Sequence, residues 1–220
     1  MINLHLGKLY SRFECRYRSY KSRIYQIQQI PSSEQWKFNY CSEVLISDIW
    51  QSWSAFSREL IFSSCRGTVA RNGDFIQERT TTIGNCWKRL GYESSRFLRN
   101  NNLSDTGHNS FLIRKEPTWG DIENVPVIVD GLSPNNKSNL ISSFGSFSQL
   151  KDLQLVRNAC AHKNVETISD LYDLAGRYSF VKITTPTDLA WSHKKGTTEL
   201  AIDIWLEEML TIANLTTEKR

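Results

Sequence analysis

No stretch of the chain reaches the roughly eighteen consecutive apolar residues that a helix needs to cross a bilayer, so no membrane span is expected. The opening residues, Met1-Ile2-Asn3-Leu4-His5-Leu6, lack the apolar core and small-residue cleavage site of a secretory signal. Cysteine is scarce and odd in number: Cys15, Cys41, Cys65, Cys86 and Cys160, with no Cys-x-x-Cys. That excludes a disulfide framework and a zinc site as expectations and points to a reducing cytoplasm. No Gly-rich phosphate loop follows a strand and no His-Glu-x-x-His occurs, so nucleotide-fold and zinc-protease readings have no footing. Neither a metal nor a cofactor is expected, and no internal repeat or low-complexity tract is present.

What the chain does contain suits a packed core. Of its 220 residues 40% are hydrophobic and 23% charged, and seven Trp, eight Tyr and ten Phe supply large side chains to fill an interior. The length fits a single domain, 1–220. A net charge of +4 permits nucleic-acid binding without requiring it. The charge is uneven. Lys8, Arg12, Arg16, Arg18, Lys21 and Arg23 oppose Glu14 alone in the first thirty residues, and Lys88, Arg89, Arg96 and Arg99 interleave with Trp87, Tyr92 and Phe97.

Four segments have the periodicity of amphipathic helices. Leu6, Leu9, Phe13, Tyr17, Tyr20, Ile24 and Ile27 recur at steps of three and four up to Pro31. A second helix starts near Ser32-Ser33-Glu34-Gln35, where Ser32 and Gln35 have capping-box spacing. It carries Ile46, Ile49, Trp53, Phe56 and Leu60 and ends near Cys65, where Gly67 allows a left-handed exit. A third runs from Phe147 to about His162. A fourth follows Gly196-Thr197-Thr198-Glu199, with a threonine cap and the stripe Ile202, Trp205, Met209, Ile212. A shorter helix using Ile168, Leu171, Tyr172 and Ala175 lies between the last two. Residues of about 67–133 read as a long irregular insertion, with Asn72-Gly73 placing a small hairpin between Thr68-Val69-Ala70 and Phe75-Ile76-Gln77. The expected fold class is all-α: a bundle of four to six helices with one elaborated edge.

The third helix carries the most specific pattern, Leu155-Val156-Arg157-Asn158-Ala159-Cys160-Ala161-His162-Lys163-Asn164. On a helical wheel Leu150, Leu153, Val156, Cys160 and Ala161 form an apolar arc with Arg157 inside it. A buried guanidinium does not sit unpaired, so Arg157 must face a carboxylate, a subunit interface or an anionic ligand. Asn158 and His162 are four apart, which lets Asn158 orient the imidazole. Arg157 and His162 lie about 140° apart on an ideal helix, so one helix alone does not aim both at one atom.

This Arg-x4-His run, with Asn directly after the Arg, resembles the active-site signature of the HEPN superfamily. The resemblance implies a HEPN-like helical bundle, a homodimer whose cleft takes an Arg and a His from each protomer, and metal-independent endoribonuclease activity. The expected setting is a toxin or effector of a toxin–antitoxin or anti-phage defence system, with RNA as substrate and an antitoxin or defence protein as partner. His162 would act as general acid or base on the 2′-hydroxyl or the leaving 5′-oxygen. Arg157 would clamp the phosphate with its planar charged fork, and Asn158 would orient the site. Arg12, Arg16, Arg58 and Lys163 are the candidate RNA contacts. HEPN toxins paired with nucleotidyltransferase antitoxins usually carry Tyr two positions after the His, where this chain has Asn164. Regulation by modification of that tyrosine is therefore not expected.

Other readings of the same residues stand beside this one. Arg157 could be a structural charge paired with Glu59 or Asp152, with His162 capping the helix. The basic N-terminal face reads as a solvated helix surface, and Arg89, Arg96 and Arg99 as charges packed among aromatics. Arg58 and Glu59 read as a helix-packing pair or as a pair orienting Arg157. Cys160 reads as core, and His5, His108 and His193 as solvent-facing. The alternative function is a non-catalytic HEPN-like module that binds a partner protein or RNA. A third reading is a peripheral membrane protein using the basic first helix.

Overall fold

The computed structural model describes residues 5–179 and 182–218. Among them are eight α-helices: α1 (Leu6–Gln28), α2 (Gln35–Arg66), α3 (Trp87–Leu98), α4 (Asn124–Leu132), α5 (Lys137–Gly145), α6 (Leu150–His162), α7 (Val165–Tyr172) and α8 (Ala201–Thr217). Two short antiparallel ribbons complete the regular structure: β1 (Thr68–Val69) with β2 (Phe75–Ile76), and β3 (Tyr178–Ser179) with β4 (His193–Lys194). The all-α expectation holds at this level, but the helices outnumber the four to six expected, because α3, α4 and α5 are short and show few repeats of an apolar period. The chain forms two compact units, one from Met1–Phe13, Ser54–Phe147 and Ile212–Arg220, the other from Glu14–Trp53 and Ser148–Thr211.

In the first unit the end of α2 leaves through Gly67 at φ 78°, as its sequence predicts, because a side chain in that left-handed region is strained. The Asn72-Gly73 hairpin also forms, with Thr68 opposite Ile76 and Val69 opposite Phe75. The rest of the supposed irregular insertion is more ordered than its sequence suggests, since it contains α3 and α4. α3 escaped detection because its inward face is polar: Arg89, Glu93, Ser94 and Ser95 are buried beside Leu90 and Tyr92. That polarity is organised. Glu93 accepts from Arg89 Nε at one oxygen and from Arg79 at the other, Arg79 also donates to Leu132 O at 3.0 Å, and Arg89 reaches Ser104 O at 2.7 Å. α4 buries Val125, Ile128, Val129 and Leu132 along one stripe, and Pro126 is tolerated because it lies in the first turn. Residues 99–112 contain no helix or strand, as their polarity implies.

In the second unit the apolar stripes predicted for the long helices are the ones buried. Tyr20, Ile24 and Ile27 of α1, Ile46, Ile49 and Trp53 of α2, and Ile202, Trp205 and Met209 of α8 each expose 6% or less. Tyr17 stands at the margin and donates to Glu207. Two predicted caps are not used. Pro31 occupies the cap position of a 3₁₀ turn over Ser32–Glu34 that precedes α2, so Ser32 lies inside the turn and caps nothing. Thr197 serves the turn before α8, donating to Lys194 O at 3.1 Å and accepting from Glu199 N.

Two carboxylates of this unit titrate in opposite directions. Burial raises Asp152, and hydrogen bonds from Tyr178 and Arg177 offset it only in part. Burial also works against ionised Asp188, but four hydrogen bonds from the backbone and hydroxyls of Thr184 and Thr185 outweigh it and lower its pKa. A group whose folded pKa is depressed adds stability above the ordinary carboxylate range and loses it as pH falls through the folded value. Asp188→Asn is therefore expected to cost about 1.5–3 kcal/mol at neutral pH. The gap to the parent should shrink toward pH 3, as read from urea unfolding across pH. A gap that is constant or widens in acid would count against the assignment. Asp152 carries the opposite sign, its contribution falling as pH rises.

Candidate functional site

The run Arg157–His162 occupies the C-terminal half of α6. Its helix is anchored at the other end by Asp152, which is fully buried and accepts from Tyr178 Oη and Arg177 Nη1, both at 2.7 Å. Tyr178 Oη in turn accepts from Trp205 Nε1 at 3.2 Å. This chain of bonds ties α6 to β3 and α8. Gln149, just before α6, adds a 2.8 Å bond to Glu208.

The buried face of α6 is Leu150, Asp152, Leu153, Val156 and Ala159, while Cys160 is half-buried and Ala161 exposed. Compared with the arc read from sequence, the helix is rotated toward Asp152 and Ala159. Burying Asp152 is what turns it, because a carboxylate with two donors is satisfied inside. The rotation moves Arg157 from the middle of the arc to its margin, where it is half-buried, and leaves His162 exposed. Burial pushes the Cys160 thiol up to about 12, so it is no nucleophile at neutral pH.

Arg157 makes no ion pair with a carboxylate of its own unit among the described residues. Its Nη1 donates to Asn158 Oδ1 at 3.2 Å. Asp152, one candidate partner, is committed to Arg177 instead. Asn158 therefore contacts Arg157 and not His162, which corrects its expected role as the orienter of the imidazole. His162 is the last residue of α6. Lys163 adopts the left-handed conformation at φ 45° and its N–H bonds Ala159 O at 2.9 Å, which closes the helix. Asn164 then caps α7, its Oδ1 accepting from Thr167 N at 2.8 Å. The Asn at the position noted for its departure from Tyr thus has a local structural duty.

The predicted RNA contacts are divided between the two units. Lys163 pairs with Glu43 of α2 at 3.0 Å and remains more than half exposed. Arg16 is exposed and donates to Ser52 Oγ at 2.6 Å. Arg12 is exposed and belongs to the other unit, as does Arg58. Arg58 is held by both oxygens of Glu116, at 2.6 and 2.8 Å through Nε and Nη2, so it is not the partner of Glu59 and keeps only Nη1 for any other acceptor. Glu43 and Tyr178 also hold this region in place, through Lys163 and Asp152 respectively. Glu43 has no local signal, while Asp152 offered one, as an acid four residues before Val156 on the apolar side. Arg157 and His162 line none of five prominent hollows among the described residues. No group of His, Cys, Asp and Glu among the described residues has the geometry to hold a metal ion. No family model, curated protein or solved structure matches the chain.

Proposed function

We propose that the chain is a metal-independent endoribonuclease of the HEPN type, an effector in a toxin–antitoxin or anti-phage system, working as a homodimer. The observation that carries this reading is Arg157: a half-buried guanidinium at the edge of α6 with Asn158 as its one hydrogen-bond partner among the described residues, on the same helix end as the exposed His162. A cation in that position has bonding capacity to spare for an anion. The 2′-hydroxyl of RNA supplies the nucleophile, His162 moves the proton, and Arg157 stabilises charge on the phosphorane. Since the two side chains diverge by about 140° on one helix, the scissile phosphate would take Arg157 and His162 from different copies.

Incubating the chain with single-stranded RNA in EDTA and analysing the new ends tests the reaction. The expected products carry a 2′,3′-cyclic phosphate and a 5′-hydroxyl; 5′-phosphate ends, or cleavage that needs a divalent ion, refute it. One observation favours a second reading, a HEPN-like module that docks a partner and cleaves nothing: His162 stands exposed at the helix end and lines none of five prominent hollows among the described residues. Analytical ultracentrifugation separates the two, because the catalytic reading requires a dimer.

A further inference from the structure

We infer that the first unit holds a binding pocket for a small molecule combining a flat apolar ring with an anionic group. It stands apart from the ribonuclease reading and survives if that reading fails. The pocket is a cavity of about 710 Å³, within the range of small-molecule sites. Trp87 and Phe111 supply aromatic walls, and Leu112 and Ile113 an apolar rim. Arg58, Lys88 and Arg114 also line it, against the single carboxylate of Glu116.

That carboxylate is already spent. Its side chain is only 7% exposed, and its oxygens accept from Arg58 Nε and Nη2 and, at 2.9 Å, from Trp119 Nε1. The site is thus built before any ligand arrives. Arg58 is locked by Glu116 and stacked 4.5 Å from the Phe62 ring centre and 5.4 Å from that of Trp87. Its remaining nitrogen, Nη1, has no hydrogen-bond partner among the described residues. With Glu116 neutralised by Arg58, Lys88 and Arg114 give the lining an excess of positive charge. Phe111 is braced by Tyr92 in an edge contact at 5.8 Å. The glycine within α3 also makes sense here. A Cβ on Gly91 would come within 2.7 Å of Glu116 Oε1, so a residue that costs the helix about 1 kcal/mol makes room for the clamp. Aromatic walls select a flat ring, and a fixed guanidinium beside two further cations selects a carboxylate or phosphate at its edge.

A free aromatic acid and a nucleotide share this chemistry, so calorimetry of the full chain uses 2-naphthoate and adenosine 5′-monophosphate separately, with neutral 2-naphthamide as control. Saturable binding near one per chain is expected for at least one of the two anions, and which one binds names the source. The amide should bind at least about tenfold more weakly. Arg114→Glu, an exposed change that leaves folding intact, should weaken the anion about tenfold, and Trp87→Ala at least about fivefold. Trp87→Phe keeps a ring and should retain part of the affinity, which separates stacking from folding. No saturable binding of either anion, equal binding of acid and amide, or an affinity indifferent to Arg114→Glu would each overturn the assignment.

Discussion

His162→Ala is expected to slow RNA cleavage by about 10²–10⁴-fold while leaving the fold in place. The imidazole lies at the exposed end of α6 and closes no structural bond, the helix being terminated by the backbone N–H of Lys163 on Ala159. Its removal should change stability by no more than about 0.5 kcal/mol. Loss of rate at constant melting temperature is thus the signature of a chemical role. Arg157→Ala should cost about 10²–10³-fold through lost charge stabilisation, and Arg157→Lys should recover only part, since an ammonium keeps the charge but not the fork. If the site is composite, mixing His162→Ala with Arg157→Ala protein should restore activity, because one of the two possible clefts in the mixed dimer keeps both intact groups. Equal activity of wild type and His162→Ala removes the catalytic assignment.

Glu93→Ala is expected to destabilise the first unit by about 3–5 kcal/mol, the range seen when one partner of a buried ion pair is removed. Glu93 side-chain exposure is 5%, that of Arg79 8% and that of Arg89 2%, so the deletion strands two guanidinium groups inside the protein. Their remaining acceptors are Asn85 and backbone carbonyls, which cannot neutralise two charges. Denaturant unfolding measures the loss. Arg96→Ala, which removes two exposed bonds from the same helix to Asn102 O in the loop beyond it, is the control and should cost under about 0.5 kcal/mol. A loss below about 1 kcal/mol at Glu93 would mean that the network is solvated.

The contrast between α3 and the long helices explains which parts of the fold can be read from a linear chain. α1, α2 and α8 bury apolar residues at steps of three and four, so their hydrophobic periodicity predicts both their existence and their inner faces. The Asn72-Gly73 hairpin and the Gly67 exit are legible for a different reason: backbone geometry there depends on the local residue alone. α3 buries Arg89 and Glu93, and hydropathy treats such residues as surface. Only the arrival of Arg79 from a separate segment makes their burial affordable, and no window along the chain contains that information.

The same division runs through the candidate site. The chain itself determined that an arginine, an asparagine and a histidine share the last turns of one helix, because spacing on a helix is a property of sequence. The phase of that helix was decided by tertiary structure. Tyr178 and Arg177 draw Asp152 inward, and the rotation sets Arg157 at the margin and His162 in solvent. Likewise Arg58, a surface cation by composition, is withdrawn by Glu116, fifty-eight positions away. Charges find their partners through space, whereas apolar stripes and turns are written locally.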